Sequence, residues 1–287
     1  MPASSYEELT TDSALEVWYP GISAVSLDTD LYDWPDESGN NRTAVVSGSG
    51  GQGFSMTRSP TAGYPTGLPV FNEDMTVLQS KDNFFRRAGA PNGFWAPCRT
   101  SGEMTLMIWV YPLLDEDQRV FWMESGGDAD ELTNPIHLMV ESGSPANALK
   151  SGIQGQLYTG SAGQVPSSTW THLALVIDST GAGEAYVYVN GSLVHTFTGV
   201  TSLDTTDKGS AYTRGIGIGY QMSNGTGTGA GDASNNGWDG SLFDPMIFSR
   251  ALTAEEVAIH MNQTAPSNDP LAAVRSSVRS SVGATIQ

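Results

Sequence analysis

The chain has 287 residues, enough for one large β domain or two small ones. Its formal net charge of −18 and pI near 4.3 exclude nucleic acid as a direct partner, because phosphate binding needs clustered Lys and Arg. Charged residues are only 15% of the chain and there are 33 glycines, a composition that predicts an all-β protein with many tight turns.

Residues 1–14 are polar and read as an N-terminal arm, without the basic start and apolar run of an export signal. Residues 14–19 form a first strand, followed by an acidic loop that ends in Ser38-Gly39-Asn40-Asn41. Residues 43–46 are the next strand, and 47–70 are rich in Gly, Ser, Thr and Pro, which predicts long loops or an insertion. Short strands are expected at 75–78 and 84–86, and 87–102 is a Pro/Gly-rich connection that holds the lone cysteine, Cys98. One cysteine allows no disulfide within the chain, and with the missing export signal it predicts synthesis in a reducing compartment.

The clearest strand is 104–112, nearly all apolar or β-favouring and ended by Pro112. Strands at 119–123, 136–140 and 153–158 follow, with an acidic loop over 124–135. Residues 170–178 form a strand, and 184–197 a hairpin whose Asn190-Gly191 pair supplies the two positive-φ residues of a type I′ turn. Residues 216–219 form a further strand. From Trp238 to Val257 comes a short apolar strand, a tight stop and an acidic helix start. Thr253 as N-cap, with Glu256 three residues later, predicts one clear helix over 253–262. In the tail, Leu271, Val274, Val278 and Val282 recur at spacings of three and four with Arg275 and Arg279 between them, a weak amphipathic pattern. No run of 18 apolar residues exists, so no membrane-spanning helix and no membrane insertion are expected.

Four segments, taken in order, resemble laminin G-like domains of the concanavalin A-like lectin/glucanase superfamily. Residues 104–112 are similar to the family's F-T-I-S-x-W-V-K-P, 170–178 to W-T-H-V-A-L-V-Y-D, 184–197 to L-Y-V-N-G, and 238–257 to W-x-G-x-I-D-D-V-R-I-Y-N-R-A-L-S-x-x-E-I. Asp36-Glu37-Ser38-Gly39-Asn40-Asn41 resembles the family's D-x-S-G-N-G-N. The resemblance spans about residues 15–262 and implies two antiparallel sheets packed as a jelly-roll sandwich. The expected organisation is an arm over 1–14, one domain over 15–263 and a docking tail over 264–287.

The family's glucanases place catalytic carboxylates as E-x-D-x-E on one strand face, since acid and nucleophile must flank one bond. No such array occurs here: Glu131, Glu141 and Glu184 stand singly, so no enzyme activity is expected. The four histidines, His137, His172, His195 and His260, make no H-x-x-x-H pair. His172 shares a strand face with Trp170, Ala174 and Val176 and reads as a structural, hydrogen-bonded histidine. The resemblance further implies a Ca²⁺ ion at the sandwich rim, held by oxygens of matching positions Asp36, Asn40 and Asp244. The closing motif departs from the family at Phe243, which stands where the first of two aspartates is usual. Asp239 is either its substitute or a turn residue, and hydrogen-bonding roles are the alternative to a metal.

A ligand-binding rim is expected from two polar loops, one with Asp128, Asp130 and Asn134 and one with Asn224, Asn235 and Asn236 leading to Trp238. Trp238 reads as a core residue or as a sugar platform. An outward-facing type of fold in a chain without an export signal points to a bacteriophage virion protein, made in the host cytoplasm. The expected function is a non-enzymatic head decoration or fibre-type structural protein, with other virion proteins, further copies of itself and surface glycans as partners. Its tail residues Leu271, Val274, Arg275, Val278, Arg279 and Val282 would dock it. The alternative is a free extracellular carbohydrate-binding or adhesion module, which has no need of residues 265–287.

Overall fold

A computed structural model describes residues 2–19, 33–34, 36–40, 44–45, 70–71, 95–112, 117–123, 136–141, 146–201, 203, 216–218 and 240–264. Among these the chain runs through α1 (Tyr6–Thr10), β1 (Leu15–Trp18), β2 (Asp33–Trp34), β3 (Ala44–Val45), β4 (Val70–Phe71), α2 (Trp95–Ser101), β5 (Glu103–Pro112), β6 (Gln118–Met123), β7 (Ile136–Glu141), β8 (Ala148–Ile153), β9 (Gln156–Thr159), β10 (Thr171–Asp178), β11 (Glu184–Val189), β12 (Ser192–Thr198), β13 (Ile216–Ile218), β14 (Gly240–Phe248) and α3 (Ala254–Thr264). A seven-stranded sheet has the order β1-β14-β5-β10-β11-β12, with β4 also on β14, and a five-stranded sheet has the order β13-β6-β7-β8-β9. All pairings are antiparallel, as the expected sandwich requires.

Strand alternation explains which side chains meet. On β5, Met104, Leu106, Ile108 and Val110 face inward with Leu173, Leu175 and Ile177 of β10, against Phe121, Leu138, Val140 and Leu149 of the smaller sheet. Each such side chain contributes about 1.5–3 kcal/mol on burial. The other face of β5 and β10 is covered too: Met107, Ala174 and Val176 pack with Leu9 of α1 and Val257 of α3. Burial on both faces is why 104–112 reads as an unbroken apolar run.

Several expectations are corrected. The polar N-terminal segment holds α1, whose Leu9 is fully buried. Its start carries a cap that the sequence displays, Ser5 accepting from the backbone N–H of Glu8 at 3.2 Å. The connection over 87–102 contains α2, where Pro97 sits in the first turn, a place that tolerates a missing N–H. Residues 153–158 are not one strand. Gln154 and Gly155, at φ 49° and 76°, turn the chain between β8 and β9. The Asn190-Gly191 turn, at φ 47° and 71°, and the start of α3 agree with the sequence reading. At that start Thr253 and Glu256 cap each other, Thr253 N–H to Glu256 Oε2 at 2.8 Å and Glu256 N–H to Thr253 Oγ1 at 3.3 Å. The candidate strands at 75–78 and 84–86, and the tail residues Leu271, Val274, Arg275, Val278, Arg279 and Val282, lie outside the described residues.

The register defines two ends of the sandwich. One end gathers Pro112, Thr171, the Asn190-Gly191 turn and Gly240, since Gly240 pairs with Pro112 and Thr171 with Val110. The other gathers Glu103, Asp178, Glu184 and Thr198, with Gln156 of the smaller sheet bonding the Thr198 carbonyl at 3.1 Å.

Candidate functional site

The three residues implied as calcium ligands do not fit that ion. Asp36 turns Oδ1 to the N–H groups of Trp18 (3.1 Å) and Ser38 (3.0 Å), and Oδ2 to the Ser38 hydroxyl (2.9 Å). Asn40 presents Nδ2 to the carbonyl of Leu15 at 2.9 Å, a donor where a metal needs an oxygen. Asp244 is buried elsewhere and accepts from Trp18 Nε1 (2.7 Å) and the Tyr6 hydroxyl (2.8 Å). Among the described residues no three His, Cys, Asp or Glu side chains form a metal-holding group. The Asp36 loop pins the β1 edge, and Asp244 pins the N-terminal segment.

Asp244 sits where β14 breaks its register between Phe243 and Met246, with φ at 51°. This bulge turns the carboxylate out of the ladder and under Tyr6 and Trp18. His260 of α3 places Nε2 3.1 Å from the Asp244 carbonyl and 3.3 Å from its Oδ2. His172 Nε2 lies 2.8 Å from His260 Nδ1, and both rings are fully buried. A carbonyl only accepts, so His260 Nε2 carries a proton. A neutral His260 then accepts at Nδ1 from His172 and leaves His172 Nδ1 as a bare acceptor. Burial, then the neighbouring His260, pushes the His172 pKa well below the usual histidine value. Burial first, then Asp244, pushes the Tyr6 pKa up. The chain His172–His260–Asp244–Tyr6 has the donors and acceptors of a proton relay; His172, His260 and Asp244 are buried, Tyr6 of α1 is half-buried, and together they clasp α1 and α3 to the sheet.

An ion-pair hub completes the clasp. Arg250 reaches Asp12 at 2.6 Å and Glu256 at 2.6 Å, and Glu256 also accepts from the Ala3 N–H at 2.6 Å. Burial opposes the Glu256 charge, but bonds from Arg250, Thr253 and Ala3 hold its pKa below the usual carboxylate value.

The expected rim residues Asp128, Asp130, Asn134, Asn224, Asn235 and Asn236, with Trp238 and Asp239, lie outside the described residues. The strands that carry them are described. Residues 124–135 join β6 to β7, whose joined ends are Met123 and Ile136. Residues 219–239 leave β13 after Ile218, which pairs with Phe121, and enter β14 at Gly240 beside Pro112. The two polar segments therefore depart from opposite ends of the sandwich. Glu141 and Glu184 also fall at opposite ends, Glu141 paired to Lys150 at 3.1 Å and Glu184 bonded by the Tyr186 hydroxyl.

At the Gly240 end, the outer face of the large sheet carries an aromatic cluster. Trp109 and Tyr111 of β5 and Trp170, one residue before β10, are 7%, 8% and 6% exposed, with Phe243 and Met261 against them. The Trp170 ring lies 5.3 Å from Tyr111 and 6.3 Å from Phe243, and Trp109 meets the His172 ring edge-on at 5.2 Å. The indole N–H of Trp170 is buried and has no hydrogen-bond partner among the described residues. Rings with one unanswered donor suit a ligand with C–H faces and oxygen acceptors.

Sequence reasoning placed Trp170 and His172 on one strand face but missed His260 as the partner, because the two histidines are 88 residues apart and no local spacing reveals them. It also missed Trp109 and Tyr111 as members of a site. Their alternation along β5 was the available signal.

No curated protein sequence matches this chain. Among solved structures, domain 4 of AbnA, a GH43 extracellular arabinanase from Geobacillus stearothermophilus, solved in complex with arabinotriose, is similar at 18% identity and a TM-score of 0.51, covering 85% of this chain and 96% of that one. The CBM40 of the Ruminococcus gnavus IT-sialidase aligns at 15% identity and a TM-score of 0.45, covering 61% of this chain and 89% of that one. A laminin G-like family model, described as concanavalin A-like lectin/glucanases superfamily, matches residues 93–258, from α2 into α3. With more than half its length matched, the chain belongs to the concanavalin A-like lectin/glucanases superfamily.

Proposed function

We propose that this chain is a carbohydrate-binding, lectin-like module. The observation that carries this reading is the aromatic cluster of Trp109, Tyr111 and Trp170 on the outer face of a lectin-type sandwich. Supporting it, the arabinanase domain with a similar fold was solved with arabinotriose. The superfamily's name covers both lectins and glucanases. Binding is preferred here because the sequence has no E-x-D-x-E array and the three carboxylates gathered at one end are taken up within the protein: Glu103 accepts from the Ala251 N–H at 3.1 Å, Asp178 from the Thr180 N–H at 2.8 Å, and Glu184 from the Tyr186 hydroxyl. An array of neutral and acidic oligosaccharides, probed with and without Ca²⁺, tests the reading. Retention of a saccharide set, undiminished by chelation, is expected, and an array without any retained saccharide contradicts it.

The finer proposal is display on a bacteriophage virion, as a head decoration or fibre-type protein that presents this sandwich to surface glycans. It rests on the sequence reading alone. Electron microscopy of particles labelled with antibody to this chain tests it, and unlabelled particles contradict it.

A further inference from the structure

We propose that the Trp170 cluster is a subsite for a neutral saccharide, with the indole N–H of Trp170 donating to a sugar oxygen. This rests on the carbohydrate-binding reading and adds the site, the key donor and the ligand's charge class. Trp170 is 6% exposed, and its Nε1 is one of the few buried side-chain polar atoms without a partner among the described residues. Leaving a buried donor unanswered costs about 1–3 kcal/mol. A phenylalanine at this position would keep an aromatic ring, though a smaller one, against Tyr111 and Phe243 and remove the unanswered donor. A group that is expensive in the empty protein becomes useful when a ligand supplies its acceptor.

The surroundings choose the ligand class. Trp109, Tyr111, Phe243 and Met261 offer ring and thioether surfaces that pack on the C–H face of a sugar. Neither this set nor Trp170 carries a charge, and the adjoining His172 is held neutral by burial. Among the described residues the cluster provides no cation for a sialic or uronic acid, and the chain's net charge of −18 repels one. Entry requires the Trp170 ring to move. Its backbone stands just outside the β10 ladder, which begins at Thr171, so the ring turns without breaking a strand pair.

The test compares the full chain with Trp170→Phe, using arabinotriose and the strongest neutral binder from the array as probes, with thermal midpoints measured alongside. The expected result is a variant that remains folded and binds about 10-fold more weakly, the loss of one hydrogen bond of about 1.4 kcal/mol. Undiminished binding by the variant overturns the subsite and leaves the carbohydrate reading standing. A Trp170 indole N–H signal that stays in place when the wild type is titrated with the saccharide overturns the subsite as well. Wild-type binding confined to acidic sugars overturns the charge class. No binding by the wild type overturns the carbohydrate reading, and the subsite with it.

Discussion

The outer face of the large sheet has two halves that treat polar groups in opposite ways. Over β14 and the N-terminal segment the donors of the network are matched, and only the His172 Nδ1 acceptor is left bare: Asp244 takes Tyr6 and Trp18, His260 joins His172 to Asp244, and Arg250 joins Asp12 to Glu256. Over Trp109, Tyr111 and Trp170, a few residues away along the same strands, an indole N–H goes unanswered. A buried network with each donor matched specifies a fold. A buried donor without an acceptor adds nothing to stability, so its presence asks for a ligand. Titratable groups crowd the first half, yet the second half has the chemistry for binding.

The clasp is broken most severely at its hub. Glu256→Ala leaves Arg250 with Asp12 alone and the N–H groups of Ala3 and Thr253 without their carboxylate, and is expected to cost about 3 kcal/mol in urea unfolding. Saccharide binding by the folded variant should persist. Leu9→Ala, which empties a fully buried position between α1 and the sheet, is expected to cost a similar or slightly smaller amount, about 2–3 kcal/mol. A loss under 0.5 kcal/mol would mean that α1 is the loose arm its polarity suggests.

Acid should weaken the molecule next. His172 is pushed well below the usual histidine value by burial, and His137 is lowered to about 3 by burial and then by Arg119 and Lys150. In the unfolded chain both bind a proton near pH 6.5, while in the folded chain they stay neutral. Their contribution is intact above pH 6.5 and is lost as pH falls toward the folded values. The expected slope is about 1.4 kcal/mol per pH unit for each histidine. Unfolding free energies measured from pH 7 to 5 check this, and replacing His137 by Phe should reduce the slope. The smallest effect is at the helix cap, where Thr253→Ala should cost about 1 kcal/mol.

The sequence displayed what depends on neighbours in the chain. The alternation of β5, the Asn190-Gly191 turn and the Thr253–Glu256 cap are all local patterns, and each appears in the structure. α1 escaped notice because five residues are too few for helical periodicity, although Ser5 and Glu8 already had the spacing of a cap. Asp244 looked like a metal ligand because its motif position is known from the strand, while its actual partners come from residues 6, 18 and 260. The aromatic cluster is likewise assembled from β5, β10 and β14, so its members were visible as strand residues and their meeting was not.

The division of this face is tested most directly by the indole N–H signals of the seven tryptophans in a ¹H–¹⁵N correlation spectrum, assigned by single Trp-to-Phe variants and titrated with the strongest neutral saccharide from the array. The Trp170 signal is predicted to shift with saturation while that of Trp18, already bonded to Asp244 at 2.7 Å, stays in place. A shift of Trp18 with Trp170 unmoved would contradict the account, placing the ligand over the clasp and leaving the aromatic cluster as core.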